Sequence, residues 1–331
     1  MKTGAILAGL AGLFGAIWLA FHVGIGAVLA AAVSVGWSGF ATLCLYGAAN
    51  FVLLGTAWLV LDPPYTGRKA VTYAWARAVR DSAGEILPFS QLGGLVIGVR
   101  AAAVRGIAAP VASAGTVVDM TLEMIAQILF ILAGLLLLVL NHPLADLRLP
   151  IVRDTAAGIV AALVLAGGFL ALQRRGFSFL ERVSQRLLPA ATAGMSAMHH
   201  ALDAIHVAPM RMFGGFLIHT AGWLSSAFGT WLALHLIGTR MPFADAVIVE
   251  SLLCAARSAA IFIPAAIGVQ EAGYMLLLPL FGLPPQAGLA ISLLKRAREI
   301  VLGIPVLLSW QIVEGSNAVW LERERAAASP K

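Results

Sequence analysis

Long apolar stretches constrain this chain more than any other feature of its sequence. A helix crosses the hydrocarbon core of a bilayer in about 20 residues, and the stretches near or above this length are 4–21, 36–61, 118–140, 152–173, 211–237 and 289–313. Hydrophobic residues make up 60% of the chain and charged residues only 11%, against roughly 25% charged in soluble domains. The sequence therefore predicts an all-α polytopic membrane protein, a single transmembrane domain over 1–331 with six full spans.

The charge balance indicates a lipid partner rather than a nucleic acid. The net charge is +6, but the basic residues are dispersed and form no stripe with interleaved aromatic side chains, so attraction to anionic lipid explains them better. Cys44 and Cys254 lie far apart without a C-x-x-C pattern, which argues against a disulfide framework or a zinc site. No nucleotide-binding G-x-x-x-x-G-K-[ST] sequence occurs. No metal or other cofactor is predicted.

The basic residues beside the spans predict the orientation of the chain. Segments 62–80 and 174–210 and the C-terminal tail each carry three or four basic side chains, whereas the opposite loops hold only Arg148, Arg153 and Arg240. Because basic residues accumulate on the cytoplasmic side, both termini are predicted to be cytoplasmic. Segment 174–210 has apolar residues at helical spacing and is predicted to be a cytoplasmic amphipathic segment lying in the membrane interface.

Two further regions, 81–117 and 246–288, are apolar but interrupted by proline, glycine and charged residues. Irregular backbone at membrane depth persists only where protein or a water-filled cavity satisfies its polar groups. Both regions are therefore predicted to be re-entrant helix pairs.

These two regions form a weak internal repeat. One constant shift along the chain aligns Pro88 with Pro264, Gly106 with Gly282, Asp119 with Lys295 and Glu123 with Glu299. Copy one covers about 81–140 and copy two about 257–313. The predicted topology places the copies in opposite orientations, and inverted repeats with broken helices are typical of secondary transporters with a site at the midplane.

Ionisable residues inside the predicted membrane region are the candidates for binding a lipid headgroup. Each costs at least ~2.5–3.5 kcal/mol at the centre of a spanning helix, so a retained charge usually faces a cavity or a partner. The candidates are Glu85, Arg100, Asp119, Glu123, Arg257, Glu271, Lys295, Arg296 and Glu299.

The spacing of these charges predicts specific contacts. If the copies meet around a pseudo-twofold axis, Asp119 approaches Lys295, or Glu123 approaches a base between 295 and 298. The alternative is that each ion pair locks two helices together without binding a ligand. Glu85 and Glu271 stand beside the proline-broken helices, where they contact a ligand, relay a proton or bond a helix end. His219 is interpreted as a buried, hydrogen-bonded side chain.

The second copy resembles a known family. Its sequence Pro264-Ala-Ala-Ile-Gly268-Val-Gln-Glu271 is similar to the P-x-x-x-G-x-x-E signature of the lysylphosphatidylglycerol synthase transmembrane-domain family, over about 5–315. Many members carry P-x-x-x-x-G-E-x-x-R in the first copy. This chain instead has Pro88-Phe-Ser-Gln91-Leu-Gly93-Gly94, with its arginine at Arg100. That variant is similar to the subset found with hopanoid biosynthesis.

The resemblance implies a flippase-like transporter that moves hopanoids or associated lipids across or out of a bacterial inner membrane. It adds Gln91 to the headgroup-binding candidates and implies structural roles for Pro88, Gly93, Gly94, Pro264 and Gly268. Membrane lipid, either hopanoid or phospholipid, is the implied partner, together with proteins of hopanoid biosynthesis or export. The aminoacyltransferase domain of the synthases does not follow this region, so enzymatic lysyl transfer is not expected.

Two other functions are compatible with the sequence. A membrane scaffold for hopanoid biosynthesis or export would not transport lipid, but it has no need of charges at the midplane. A lipid-modifying enzyme would need a catalytic motif, and neither H-E-x-x-H nor G-x-S-x-G occurs.

Overall fold

A computed structural model describes residues 30–31, 33–87, 90–141, 192–259 and 266–328 of the chain. Within these residues the regular secondary structure is entirely helical. The helices are α1 Gly36–Leu61, α2 Gly67–Ile86, α3 Ser90–Val104, α4 Ala109–Asn141, α5 Thr192–His206, α6 Pro209–Leu236, α7 Phe243–Ala259, α8 Val269–Leu277, a 3₁₀ turn at Leu278–Phe281 and α9 Pro285–Ala328.

Two of the described helices, α1 and α4, are long and apolar enough to cross a bilayer. The end of α5 and all of α6 add a third candidate if they count as one span bent by 82°. These three contain the predicted spans 36–61 and 118–140 and nearly all of 211–237. The predicted span 289–313 lies within α9, which carries Lys295, Arg296, Arg298 and Glu299 close together. The stretches 4–21 and 152–173 lie outside the described residues, so the total of six spans stays a prediction.

The two repeat regions share one order of helices. In each, a helix is followed by a break, a shorter helix, a glycine turn and a long helix. The first helices begin at Gly67 and Phe243, and the long helices begin at Ala109 and Pro285. Within each pair, the two starts are separated by the same shift that aligns Gly106 with Gly282. The turns place Gly106 at φ +96° and Gly282 at φ +75°, a conformation that favours glycine. The helix order therefore follows the repeat.

The described helices extend beyond the predicted re-entrant segments. The first segment was predicted to begin at residue 81, but α2 already begins at Gly67, and the second segment likewise starts inside α7. The prolines of the two breaks, Pro88 and Pro264, lie outside the described residues. The re-entrant geometry and the inversion of the copies both stay predictions.

Helix α5 is the described part of the predicted amphipathic segment. Its apolar residues Met198, Leu202 and Ile205 pack in one cluster with Leu61 and Val118, which belong to α1 and α4. The predicted apolar stripe is thus covered here by other helices of the protein.

Gly94 allows α2 and α3 to approach closely. A Cβ atom at Gly94 would lie 2.6 Å from the carbonyl oxygen of Arg80, whereas Gly115 in α4 has open space around its Cβ position. We expect Gly94→Ala to destabilise the protein by about 1–3 kcal/mol through overpacking. Gly115→Ala is expected to be neutral or stabilising by up to ~1 kcal/mol, because alanine favours helix. Thermal unfolding of both purified variants measures the difference, and equal midpoints would contradict the close approach.

Candidate functional site

Three groups of polar side chains lie where the helices of the two repeat regions meet α6 and one another. We call them the arginine–acid cluster (Arg77, Arg80, Asp119, Glu123, His219), the lysine–acid cluster (Ser226, Thr230, Glu250, Tyr274, Lys295) and the central cluster (Glu85, Arg257, Glu271, Arg296, Glu299).

In the arginine–acid cluster, two arginines of α2 each contact two acids of α4. Asp119 Oδ2 lies 3.1 Å from Arg77 Nη1 and 2.9 Å from Arg80 Nη1. Glu123 receives Arg77 Nη2 at 2.9 Å and Arg80 Nη2 at 2.8 Å. Arginines three residues apart share a helix face, as do acids four apart, so the two faces meet with matched charges. The side chains of Asp119, Arg77 and Arg80 are 0%, 3% and 9% exposed, whereas that of Glu123 is 23% exposed. Both guanidinium groups are therefore buried, and Glu123 is the partly exposed member of the cluster.

His219 of α6 completes the arginine–acid cluster. Its Nε2 lies 2.7 Å from Oδ1 of Asp119, the oxygen that does not contact the arginines, and the ring is buried. This agrees with the prediction of a buried, hydrogen-bonded side chain at His219. Ligand atoms of Asp119, Glu123 and His219 lie within 4.8 Å of one another, a spacing that could hold a metal ion. However, two guanidinium groups already contact the same carboxylates, and their positive charge argues against a cation there.

The lysine–acid cluster is a second buried network. Lys295 of α9 donates to Glu250 of α7 at 2.8 Å and to the hydroxyl of Tyr274 at 2.6 Å. Three hydroxyl groups, from Ser226, Thr230 and Tyr274, donate to the same carboxylate at 2.6–2.7 Å. The charge of the buried ion pair is therefore surrounded by hydrogen-bond partners, which such a pair requires.

The two buried clusters use equivalent helices with reversed charges. In the first repeat the long helix α4 supplies the acids and α2 the bases, whereas in the second repeat α9 supplies the base and α7 the acid. Helix α6 contributes to both, through His219 and Thr230. These two residues are 11 positions apart, or roughly 16 Å along a helix. The clusters therefore lie at different depths along α6.

The central cluster joins the two repeats. Glu85, near the end of α2, receives Arg257 Nη2 at 2.7 Å and lies 3.6 Å from Arg296 Nη1. Arg257 comes near the end of α7, so Glu85 and Arg257 each stand near the end of the first helix of their repeat. Arg296 also lies 3.4 Å from both Glu271 and Glu299. The cluster thus bridges α2, α7, α8 and α9.

Glu271 bonds a helix end, which is one of the roles that the sequence left open for it. Its Oε2 accepts the backbone N–H of Gly268 at 2.8 Å, at the start of α8. Gly268 has φ +83°, which favours glycine. The other oxygen of Glu271 accepts from Ser292 at 3.0 Å, and Ser292 accepts in turn from Gln270.

The central cluster differs from the other two because it contains an ion pair in which both partners are partly exposed. The side chains of Arg257 and Glu85 are 25% and 20% exposed, whereas Glu123 of the arginine–acid cluster, at 23%, pairs with arginines that are buried. Glu85 Oε2 is itself buried and has no hydrogen-bond partner among the described residues. A guanidinium and an acid that are both partly exposed can exchange their partners for a ligand without breaking a sealed core.

The structure corrects the predicted pairing of Asp119 with Lys295, and of Glu123 with a base between 295 and 298. The acids instead contact Arg77 and Arg80, and Lys295 contacts Glu250. The reason is that a nearer helix within each repeat supplies the opposite charge.

The other candidates divide between the clusters and the periphery. Arg100 pairs with Glu314 at 2.7 Å, and its side chain is 46% exposed, so it belongs to a surface pair rather than to the central cluster. Gly93 is half-buried in α3. The side chain of Gln91 lies outside the described residues, as do Pro88 and Pro264.

Sequence reasoning missed several members of the clusters. Arg77 was counted only as a topology signal, and the uncharged Thr230, Tyr274 and Gln270 attracted no attention. The available signal was that Arg77 and Arg80, three residues apart, share one helix face, as do the two acids of α4, four residues apart. Uncharged polar residues in apolar helices carry no comparable signal, because they are compatible with many environments.

Comparison with known proteins identifies one family. The family model described as the lysylphosphatidylglycerol synthase TM region matches residues 6–306, most of the chain. No curated protein and no solved structure matches.

Proposed function

This chain belongs to the lysylphosphatidylglycerol synthase transmembrane-region family, and from that premise we propose that it is a flippase-like lipid transporter. In this proposal the protein moves a lipid headgroup through the central cluster while the apolar tails stay in the bilayer. No covalent chemistry is involved. The apolar helices α1 and α4 support a location in the membrane, which we take to be a bacterial inner membrane with both termini cytoplasmic.

The single observation that carries the proposal is the partly exposed central cluster at the junction of the two repeats. The contact between Glu85 and Arg257 joins residues 172 positions apart, one beside each helix break. A headgroup phosphate can replace Glu85 on Arg257, because guanidinium pairs equally well with phosphate and carboxylate. Hydroxyl groups of a polyol can instead donate to Glu85, Glu271 or Glu299.

The arginine–acid and lysine–acid clusters hold the surrounding helices together during this exchange. Since the arginines of the arginine–acid cluster and both charges of the lysine–acid cluster are buried and neutralised by their partners, these contacts hold α2 to α4 and α7 to α9. The contacts within the central cluster can then be broken at a lower cost in free energy. If the two copies are inverted, breaking the contacts of the central cluster would open the site first toward one side of the membrane and then toward the other, as in transporters built from inverted repeats.

The substrate that we propose is a hopanoid or a phospholipid handled with it. The resemblance of the first copy to the hopanoid-associated subset favours the hopanoid. The paired acids and arginines are compatible with either headgroup, and proteins of hopanoid biosynthesis or export are the proposed partners.

A leaflet-exchange assay in proteoliposomes tests the proposal. Vesicles would carry labelled phosphatidylglycerol, phosphatidylcholine or a polyol hopanoid, and the label remaining in the outer leaflet would be measured over time. We expect the protein to accelerate exchange of at least one of these lipids. Arg257→Gln is expected to slow it roughly tenfold or more, because hydrogen bonds to a charged group contribute about 1.5–3 kcal/mol.

Arg100→Gln is the matched control, since Arg100 pairs with Glu314 at an exposed position, and its exchange rate should equal that of the unmodified protein. If Arg257→Gln does not fold, Arg257→Lys, which keeps the charge, is measured in its place. No acceleration of any of the three lipids would refute transport. Full activity of a folded Arg257→Gln variant would refute the central cluster as the headgroup site.

A further inference from the structure

A groove of about 520 Å³ lies between the start of α2 and the turn that follows α3. Its walls include Arg68, Val71, Val104, Arg105 and Gly106. None of these residues belongs to the three clusters, so the groove is separate from the proposed headgroup site.

Two arginines of this groove have no acidic partner in the described parts of the chain. Arg68 is exposed and extends across the groove, with Nη2 only 3.8 Å from the position that a Cβ atom of Gly106 would take. Arg105 is exposed and lies over the ring of Trp75, with Cζ 4.6 Å from the ring centroid. The neighbouring Lys69 contrasts with them, because it pairs with Asp62 at 2.8 Å. The groove therefore concentrates positive charge without a counter-ion from the described residues.

The start of α2 adds to the attraction for an anion. The first N–H groups of an α-helix have no intrahelical acceptor, and its N-terminus carries partial positive charge. The capping hydroxyl of Thr66 accepts only the N–H of Lys69, at 3.2 Å. The amides of Gly67 and Arg68, at the wall of the groove, remain for a ligand.

Apolar side chains beside the arginines favour a lipid over a free anion. Val71, at the wall of the groove, is 65% exposed. Trp75 donates from Nε1 to Ser309 at 2.9 Å, which holds its ring in place beneath Arg105. Aromatic residues are enriched where a membrane protein meets the headgroup region. An acyl chain or glycerol group can cover these side chains while the phosphate contacts the arginines.

We propose that Arg68 and Arg105 bind the phosphate of an anionic phospholipid at the membrane surface. Segment 62–80 is predicted to lie on the cytoplasmic side, where anionic lipids give the leaflet a negative surface potential. The second repeat carries Ala244 and Phe281 at the equivalent positions, so the site belongs to the first repeat only. It holds the protein against the anionic leaflet and does not depend on transport.

Binding of short-chain lipids to the full chain in detergent micelles tests this site. Dioctanoyl phosphatidylglycerol, dioctanoyl phosphatidylcholine and inorganic phosphate would be titrated separately, with the thermal midpoint as readout. We expect phosphatidylglycerol to raise the midpoint with saturation, and phosphatidylcholine to have a much smaller effect. Each arginine near an anionic surface changes affinity roughly fivefold, so Arg68→Gln/Arg105→Gln should weaken apparent phosphatidylglycerol binding about 25-fold.

Arg240→Gln is the matched control, because Arg240 is also exposed but lies on the loop between α6 and α7. It should bind phosphatidylglycerol as the unmodified protein does. Arg68→Gln alone should bind about fivefold more weakly, and it keeps the test open if the double variant does not fold. Unchanged affinity in either folded variant would overturn the site. An equal shift with inorganic phosphate at the same concentration would overturn the lipid assignment in favour of a free-phosphate site.

Discussion

Replacing Lys295 with methionine is expected to lower the free energy of unfolding by roughly 3–5 kcal/mol, the cost of leaving one charge of a buried pair without its partner. Glu250 and Lys295 are 5% and 6% exposed, so water cannot replace the missing ammonium group. The hydroxyls of Ser226, Thr230 and Tyr274 would still donate to Glu250, which places the expected loss toward the lower end of that range.

A double-mutant cycle separates the ion pair from the loss of packing. Unfolding in mixed micelles would be measured for Lys295→Met, Glu250→Gln and the double variant. The double variant is expected to lose less stability than the sum of the single variants, because a buried pair can often be replaced by neutral groups at little cost. Additive losses would mean that the two side chains do not interact in the folded protein.

Asp119→Ala is expected to have a similarly large effect, again on the order of 3–5 kcal/mol. This carboxylate is the only one that contacts Arg77, Arg80 and His219 together in the described structure. Its removal leaves two buried guanidinium groups to share Glu123 and frees the histidine ring of its partner. The helices α2, α4 and α6 lose their common contact at the same time.

Asp81→Ala provides the matched comparison for Asp119. Its carboxylate accepts from Arg77 Nε at 2.9 Å, but its side chain is 25% exposed, so water can take its place. We expect it to cost no more than about 1 kcal/mol. Equal losses for the two aspartates in the same unfolding assay would contradict a specific role for burial at Asp119.

Hydropathy predicted parts of the fold because lipid leaves few choices to an apolar segment. The predicted span 36–61 coincides with α1, and 118–140 falls within α4. A helix satisfies its backbone polar groups within one segment and without water, so length and apolarity suffice to predict such segments. The predicted span 289–313 also lies within one helix, α9, but that helix carries a group of charged residues and is not among the candidate spans, so this span stays a prediction.

The repeat shift also indicated how helices follow one another. The glycines that it aligns lie in the turns before the long helices, and the helix starts at Gly67 and Phe243 keep the same offset. Glycine at positive φ carries this signal because other residues rarely adopt the conformation.

Membership of the central cluster was partly visible in the sequence. Glu85, Arg257, Glu271, Arg296 and Glu299 were all candidates, because charge at membrane depth requires a partner or a cavity. The sequence did not show which of these charged side chains contact one another. The assumed symmetry paired Asp119 with Lys295, whereas each is neutralised by a neighbouring helix of its own repeat.

The sequence by itself determined that this chain is helical, meets lipid along much of its length and retains charges inside apolar segments, because these properties depend on composition and local spacing alone. Only the tertiary structure decided which charges are sealed and which stay partly open. Pairing depends on distances between helices that are far apart in the chain, such as the 172 residues between Glu85 and Arg257. Those distances follow from packing, which close approaches such as the one at Gly94 control.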